Sequence, residues 1–126
     1  MRVIVAEDDR VTSHLVCALL RKHGYTPEQA LDLPALVAAC EREPTPSAIL
    51  LDMHMPGGSG TDTLRWLKGH TSLGSVPVIV MSGSHSADDD RTAKELGAIA
   101  FLDKPIQLGL VLEALEHACA PRDRPS

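Results

Sequence analysis

Short apolar runs alternate along this chain with longer segments whose apolar residues recur every three or four positions. Four of the runs are Val3–Ala6, Ala48–Leu51, Val76–Met81 and Ile99–Leu102. Nearly continuous apolar runs of this length are typical of strands buried on both faces, as in a parallel sheet. The segment 25–30 is a weaker candidate, because Pro27 lacks a backbone N–H and is confined to the start or the edge of a sheet. We therefore predict five strands, the second of which lies at an edge.

Helical periodicity fills the segments between the runs. The predicted helices cover residues 10–23, 33–40, 61–70, 86–96 and 108–119. Gly24 and Gly97 follow the first and fourth helices, at the position where glycine commonly ends a helix. Strands that alternate with helices need crossover connections, which place parallel strands in one sheet with helices on both faces. The predicted fold class is therefore α/β with a doubly wound parallel sheet.

Composition narrows the possible functions. The chain has 126 residues, 44% of them apolar, a net charge of −5, and one residue each of Trp, Tyr and Phe. This length fits a single domain, and its core must be mainly aliphatic. The negative charge argues against direct nucleic-acid binding, which requires clustered Lys and Arg.

The cysteines and the lengths of the apolar runs bear on location. Cys17, Cys40 and Cys119 are too far apart for a CxxC metal or redox motif, so we expect reduced thiols. No run approaches the length of a membrane span, and the chain enters its first strand without a signal-peptide region. We expect a cytoplasmic protein with no membrane partner.

Carboxylates and other polar residues follow four of the predicted strands. They are Glu7, Asp8 and Asp9 after the first strand, Asp52 after the third, Ser82 after the fourth and Lys104 after the fifth. Ligands bind at the carboxyl edge of an open α/β sheet, so these side chains are expected to share a pocket. Converging carboxylates repel one another unless a cation joins them, and an oxygen-only ligand set favours Mg²⁺. Asp9 is expected to cap the following helix instead.

Asp52 is the predicted reactive group of this pocket. Pro56 and Gly57 stop its strand shortly afterwards, which leaves the carboxylate at the strand end. A carboxylate can attack phosphorus and form an aspartyl phosphate if the charge on the phosphoryl oxygens is neutralised. Mg²⁺ and the Lys104 ammonium would supply that charge, and Ser82 would add a hydroxyl donor.

Four ordered motifs together resemble the receiver domain of two-component response regulators. They are Glu7-Asp8, Asp52-Met53-His54-Met55-Pro56, Ser82-Gly83 and Lys104-Pro105. The resemblance extends to about Cys119, which predicts a receiver domain over residues 1–119 and a disordered tail over 120–126. It implies a flavodoxin-like (βα)5 fold with strand order 2-1-3-4-5. It also implies a signalling domain that catalyses only its own phosphorylation and dephosphorylation, rather than an enzyme.

The resemblance assigns roles around the phosphorylated group. Asp52 would accept the phosphoryl group from a phosphohistidine on a histidine kinase or a phosphotransfer protein. Asp8, Asp52 and the backbone carbonyl of His54 would bind Mg²⁺ directly, and Glu7 would act through a water molecule. The side chains of His54 and Ser84 would tune how long the phosphate survives. We predict that the bulky imidazole shields the phosphorus from water and gives a moderately long-lived phosphoprotein.

The resemblance also implies a response to phosphorylation. Ser82 and Lys104 would hold the phosphoryl group, and Ser82 and Phe101 would form the switch, with the Phe101 ring turning inward on activation. The fourth helix, last strand and last helix would form the face for a downstream protein or a homodimer. Leu110 and Ala114 are expected to be exposed on that face.

Three other classes of protein also place an acidic residue or a binding site at the carboxyl end of a strand in such a sheet. A haloacid-dehalogenase-type phosphohydrolase needs a second Asp two places after the first, where this chain has His54. A flavodoxin needs a phosphate-binding loop after the first strand, where Glu7 and Asp8 would repel phosphate. A receiver-like module that binds a protein partner without being phosphorylated stays open at the level of sequence.

Overall fold

The computed structural model describes residues 1–83 and 87–119. Ser84, predicted to tune the phosphate lifetime, and the predicted tail over 120–126 lie outside this part of the chain. Strands and helices alternate within it: β1 (Arg2–Ala6), α1 (Arg10–Lys22), β2 (Thr26–Ala30), α2 (Leu33–Glu41), β3 (Ala48–Asp52), α3 (Gly60–Gly69), β4 (Val78–Ser82), α4 (Ala87–Glu95), β5 (Ala100–Asp103) and α5 (Leu108–Cys119).

The strands form one parallel sheet in the order β2-β1-β3-β4-β5. This confirms the predicted fold class and the strand order that the receiver resemblance implied. The chain moves from β1 outward to β2 and then returns to place β3 on the other side of β1. The two strands that flank this change of direction therefore end next to each other, which is where sheets of this kind bind ligands.

Apolar side chains alternate between the two faces of the sheet. The strand residues on one face belong to a first buried cluster: Ile4, Ala6, Ile49, Leu51, Val78 and Val80. Those on the other face belong to a second: Val3, Val5, Ala48, Leu50, Ile79 and Met81. Because every one of these side chains is fully buried, the central strands read as continuous apolar runs in the sequence.

The helices cover both clusters. α2, α3 and α4 pack on the first cluster, for example through Leu36, Leu64 and Ala93. α1 and α5 pack on the second through residues such as Leu20 and Leu115. Burying one such aliphatic side chain fully contributes about 1.5–3 kcal/mol. In the described part of the chain, no helix combines the length and the apolar character needed to cross a bilayer.

Polar caps fix where several helices begin. Asp9 precedes α1, and its carboxylate accepts hydrogen bonds from the Val11 N–H and the Thr12 hydroxyl at 3.1 and 2.8 Å. The predicted capping role of Asp9 is therefore confirmed. Asp32 and Ser59 cap α2 and α3 in the same manner, through hydrogen bonds from backbone N–H groups in the first turn.

The fourth strand starts two residues later than the predicted run over Val76–Met81. The Val76 N–H donates to the Leu73 carbonyl at 3.0 Å, which keeps this residue in the preceding turn. The strand instead extends through Ser82, whose side chain is only 1% exposed. The hydroxyl predicted to belong to the site is thus held by the sheet and not by a loop.

Candidate functional site

The predicted pocket residues follow one another along the carboxyl edge of the sheet. Glu7 comes directly after β1, and Asp52 ends the neighbouring β3. Asp52 is in register with Met81, the residue before Ser82. Ser82 is in turn in register with Asp103, the residue before Lys104. Parallel pairing therefore brings the acidic residues, the serine and the lysine to one edge, as predicted.

Lys104 bridges two buried carboxylates. Its Nζ lies 2.6 Å from Glu7 Oε1 and 2.9 Å from Asp52 Oδ2. The Lys104 N–H donates to the Ser82 carbonyl at 2.9 Å, which fixes the start of the side chain beside β4. Glu7 and Asp52 are 0% and 2% exposed, so one cation is shared between two carboxylates that water barely reaches.

The acidic residues form a group with the dimensions of a metal site. One carboxylate oxygen from each of Glu7, Asp8 and Asp52 lies within 4.8 Å of the others. Glu7 Oε1 is close to Lys104, yet within the described residues no donor makes a well-oriented hydrogen bond to this oxygen. Buried carboxylate oxygens with unused acceptor capacity match the hard oxygen ligands that Mg²⁺ prefers. The donor set therefore fits a magnesium ion.

The pKa values of the bridge reflect both burial and charge. Burial, reinforced by the adjacent Asp52 carboxyl, raises the pKa of Glu7 from 4.5 to about 7, although Lys104 acts in the opposite direction. Burial on its own would lower the pKa of Lys104, but the two carboxylates outweigh it and the pKa lies above 10.5. Lys104 is therefore charged at neutral pH, and Glu7 is the group poised to take up a proton.

The loop after Asp52 folds back over the strand end. The His54 N–H donates to Asp52 Oδ1 at 2.9 Å, while Lys104 occupies the other carboxylate oxygen. A Cβ on Gly60 would lie 2.5 Å from the Met53 carbonyl oxygen, so only glycine allows this approach. The loop thus orients the Asp52 carboxylate through its own backbone and leaves the His54 side chain exposed.

A family model described as the response regulator receiver domain matches residues 3–116. This chain belongs to that family. The match includes at least part of every described strand and helix, from β1 to α5, and it places the chain among two-component signalling proteins.

Two curated relatives illustrate the similarity in sequence. The phosphate regulon transcriptional regulatory protein PhoB of Escherichia coli (strain K12) is 33% identical over 104 residues, covering 82% of this chain and 45% of PhoB. The sensory transduction protein RegX3 of Mycobacterium bovis is 35% identical over 103 residues, covering 82% of this chain and 44% of RegX3. The chain therefore spans less than half the length of these relatives.

Solved receiver structures share the fold. A putative response regulator from Chloroflexus aurantiacus superposes with a TM-score of 0.87 at 18% identity, covering 95% of this chain and 98% of the other. A CheY-like receiver domain from Methanospirillum hungatei gives a TM-score of 0.85 at 24% identity, covering 94% and 92% of the two chains. The sheet and its helices are thus those of known receiver structures.

The receiver site brings most of the predicted residues together, while others lie on the surface around it. Phe101 on β5 is half-buried against the first cluster. Leu110 on α5 is exposed, as predicted, with 45% of its surface accessible. The predicted exposure of Ala114 is wrong, because this residue is partly buried and packs on the second cluster. Ser84 lies outside the described residues.

A groove beside the receiver site was missed at the level of sequence. It encloses about 420 Å³ between the start of α1 and the loop after β5, and its walls are formed by Asp9, Thr12, Leu15, Val16, Lys104, Pro105, Ile106 and Leu108. Val11 and Leu15 are exposed on α1 beside it, at 69% and 51%. The only available signal was an apolar pair on the outer side of the first helix.

Proposed function

We propose that this chain is a response regulator receiver in which Asp52 accepts a phosphoryl group from a phosphohistidine, with Mg²⁺ as cofactor. The observation that carries the proposal is the buried Asp52 carboxylate held between Lys104 at 2.9 Å and the acidic side chains of Glu7 and Asp8. The proposed receiver domain spans residues 1–119. A cytoplasmic location is part of the proposal, since Cys17 and Cys40 are buried free thiols suited to a reducing compartment.

In the proposed reaction, a carboxylate oxygen of Asp52 forms a bond to phosphorus while the bond from phosphorus to the imidazole nitrogen of the donor breaks. The electron pair of that bond returns to the ring nitrogen, and the donor imidazole, which carries a proton on its other nitrogen, leaves as a neutral histidine. The His54 N–H holds one Asp52 oxygen in place, and the Lys104 ammonium balances the negative charge that is transferred. When bound, Mg²⁺ would supply further positive charge against the phosphoryl oxygens.

The proposed magnesium ligands are Asp8, Asp52 and the backbone carbonyl of His54, with Glu7 acting through a water molecule. The grouping of the three carboxylates within 4.8 Å supports this assignment. Asp8 is exposed and is free of the Lys104 bridge, so it is the carboxylate that can bind a metal without losing an ion pair. Replacing Asp8 is therefore the most direct test of the metal site, because it leaves the ion pairs of Lys104 intact.

Phosphorylation would be coupled to shape through the residues next to Asp52. A phosphoryl dianion attracts the Lys104 ammonium and the Ser82 hydroxyl, and their backbones are already joined by the hydrogen bond from the Lys104 N–H to the Ser82 carbonyl. Movement there would reach Phe101 on the adjoining strand. We propose that α4, β5 and α5 form the face that binds a downstream protein or a second copy, with Leu110 exposed on it.

The groove beside Lys104 is the proposed contact for the phosphate donor. A protein that delivers a phosphoryl group to Asp52 must cover the adjacent surface, and Val11 and Leu15 offer apolar contacts there. The variant Leu15→Glu is expected to slow transfer from a phosphorylated histidine phosphotransfer protein. Labelling by acetyl phosphate should be unchanged, because a small donor does not need the groove.

The phosphoacceptor is tested with acetyl phosphate and Mg²⁺, followed by mass spectrometry of the intact protein. The parent is expected to gain one phosphate and Asp52→Asn none. Asp9→Asn is the matched control, because it removes a carboxylate at the same edge while asparagine still caps α1. Labelling of Asp52→Asn at the parent level would contradict the assignment, and a folded parent that is never labelled would favour a module that only binds proteins.

The metal site is tested by titrating Mg²⁺ into the metal-free protein and measuring the heat of binding. Asp8→Ala is expected to abolish binding in the accessible concentration range, because it removes the one carboxylate of the group that is not paired with Lys104. Asp62→Ala serves as the control, since this exposed acid lies on α3 in an ion pair with Arg65. Near-normal affinity in Asp8→Ala would show that the three carboxylates do not bind a common ion.

A further inference from the structure

The loop between Asp52 and α3 is fastened to α2 as well as to its own strand. The Leu33 N–H, at the first position of α2, donates to the Pro56 carbonyl at 3.0 Å. Gly57 has a φ of +96°, and a Cβ at this residue would lie 2.5 Å from Pro34 Cδ and 3.2 Å from Pro34 Cγ. The pyrrolidine ring of Pro34 therefore occupies the space that any larger residue at 57 would need.

The buried side chain of Met55 also attaches the loop to α2. Met55 is 5% exposed and belongs to the first cluster together with Leu33 and Leu36 of α2. His54 thus lies between Met53, whose backbone packs against Gly60, and Met55, whose side chain is buried beside α2. Its backbone has little room to move independently of the first turn of α2.

We propose that the first turn of α2, acting through Pro34 and Gly57, positions the backbone of His54 at the phosphorylation site. That backbone carries two groups that matter there: the N–H that donates to Asp52 Oδ1 at 2.9 Å and the carbonyl assigned to Mg²⁺. The part of the inference that concerns the metal rests on the proposed function. Pro34 and Gly57 are positioning residues, since neither touches the carboxylates themselves.

The turn is rigid enough for this role. Asp32 caps α2 by accepting a hydrogen bond from the Ala35 N–H at 2.8 Å, and Leu36 anchors the helix with no exposed surface. We therefore expect a new methyl group 2.5 Å from Pro34 Cδ to displace the loop relative to the helix. Relieving the contact requires a shift of about 1 Å, and displacements of that size at a supporting residue cost roughly ten- to a hundredfold in metal affinity or rate.

The test uses four variants: Gly57→Ala, Pro34→Ala, the double variant and Gly24→Ala. Gly24 is the matched control. Its φ of +88° is close to the +96° of Gly57, so an alanine is strained to a similar degree at either position, but at residue 24 nothing lies within 4 Å of the added methyl group. We expect Gly57→Ala to weaken Mg²⁺ binding about tenfold and the double variant to recover most of the loss. Gly24→Ala should lower the melting temperature and leave Mg²⁺ affinity unchanged.

A second readout needs no metal. The His54 amide resonance and its hydrogen-exchange rate report the hydrogen bond to Asp52 in metal-free protein. Both should change in Gly57→Ala and return toward the parent in the double variant. A parent that binds no Mg²⁺ would defeat the proposed function, while the amide measurements would still decide the positioning role.

Three outcomes would overturn the inference. Parent-like Mg²⁺ affinity and amide signals in Gly57→Ala would show that the loop tolerates the contact. Equal losses in Gly57→Ala and Gly24→Ala would attribute the effect to general destabilisation. A double variant as impaired as Gly57→Ala would attribute it to backbone strain alone and remove Pro34 from the argument.

Discussion

At the scale of single residues, the site depends on one lysine shared by two buried acids. Lys104 contacts both Glu7 and Asp52, and these carboxylates are only a few ångströms from Asp8. Burial is the main reason that the pKa of Glu7 is raised to about 7, and the neighbouring Asp52 carboxyl raises it further by interaction with the Glu7 carboxyl and by charge repulsion. A cation that enters the group relieves the same repulsion, so proton uptake and metal binding oppose each other.

The protonation of Glu7 should appear in the stability of the metal-free protein. Its pKa is about 7 in the fold and 4.5 for an ordinary glutamate, so the native state binds this proton more tightly than the unfolded chain. The contribution of this proton to the stability of the fold is therefore fully present below about pH 4.5. It is lost as the pH rises through about 7, and it amounts to at most about 3 kcal/mol. We expect a higher free energy of unfolding at about pH 5 than at about pH 8, measured by urea titration with a chelator present.

Glu7→Gln is the control for this prediction, because its amide has no carboxyl proton to lose. The difference in unfolding free energy between the two pH values should shrink in this variant. An identical pH dependence in Glu7→Gln and the parent would mean that other groups control the acid stability.

His54 should determine how long the phosphate survives. Its exposed side chain follows the N–H that holds Asp52, and an imidazole there can block the line along which water attacks phosphorus. We expect the phosphate on His54→Ala to decay faster than on the parent, measured at fixed Mg²⁺ from about pH 6 to about pH 8. Slower decay in His54→Ala, or a parent rate that rises with pH only when His54 is present, would mean that the imidazole assists hydrolysis.

The sequence predicted which residues meet at the site but not how they are paired. Parallel strands end at one edge, so the convergence of Asp52 and Lys104 followed from strand order alone. Glu7 and Asp8 are adjacent in sequence, and which of them enters the buried bridge depends on the turn after β1. That turn is set by tertiary contacts such as the hydrogen bond from the Glu7 N–H to the Ala30 carbonyl, which no local pattern indicates.

At the scale of elements, α4 is the helix that we propose responds to phosphorylation. Among its described side chains, Ala93 is fully buried, whereas Lys94 and Glu95 are exposed. Because these described side chains bury little apolar surface, we expect α4 to open at a lower free energy than α1 or α3. Its neighbour β5 leads directly into Lys104, which connects the helix to the charge at the site.

Hydrogen exchange can locate this response. We expect beryllofluoride with Mg²⁺, a mimic of the phosphoryl group, to change amide exchange rates several-fold in α4, β5 and α5. Asp52→Asn, which lacks the oxygen that binds the mimic, is the control and should show no change. Changes confined to α1 and α2 would contradict the proposed face.

The elements themselves were largely predictable because their periodicities are local. Two features were not predictable in this way. The first residue of the apolar run at Val76 belongs to a turn, because the Val76 N–H donates to the Leu73 carbonyl, and the run itself gives no sign of this. The contact between Pro34 and Gly57 joins two segments that are distant in the sequence, and neither segment indicates the other.

At the scale of the whole molecule, the two ends of the strands carry different kinds of side chain. The carboxyl edge carries the acidic site, whereas the opposite edge carries a basic side chain that ties several segments together. Arg2 donates to the carboxylate of Glu28 on β2 at 3.1 Å, to the carbonyls of Arg42 and Pro44 at 3.3 and 2.5 Å, and to the Ala39 carbonyl at the end of α2. One side chain thus joins β1, β2, α2 and the loop before β3.

Removing Arg2 should therefore destabilise the fold without harming the phosphorylation site. Arg2→Ala leaves three carbonyls and a carboxylate without this charged donor, and we expect a loss of about 2 kcal/mol or more in the free energy of unfolding. Arg65→Ala is the matched control, because its ion pair with Asp62 is 61% and 75% exposed and should contribute less than about 1 kcal/mol. Since β1 separates Arg2 from the site by roughly 15 Å, the folded fraction of Arg2→Ala should be labelled by acetyl phosphate at the parent rate. A lower rate per folded molecule in Arg2→Ala, with Arg65→Ala unchanged, would mean that the two edges are coupled through the sheet.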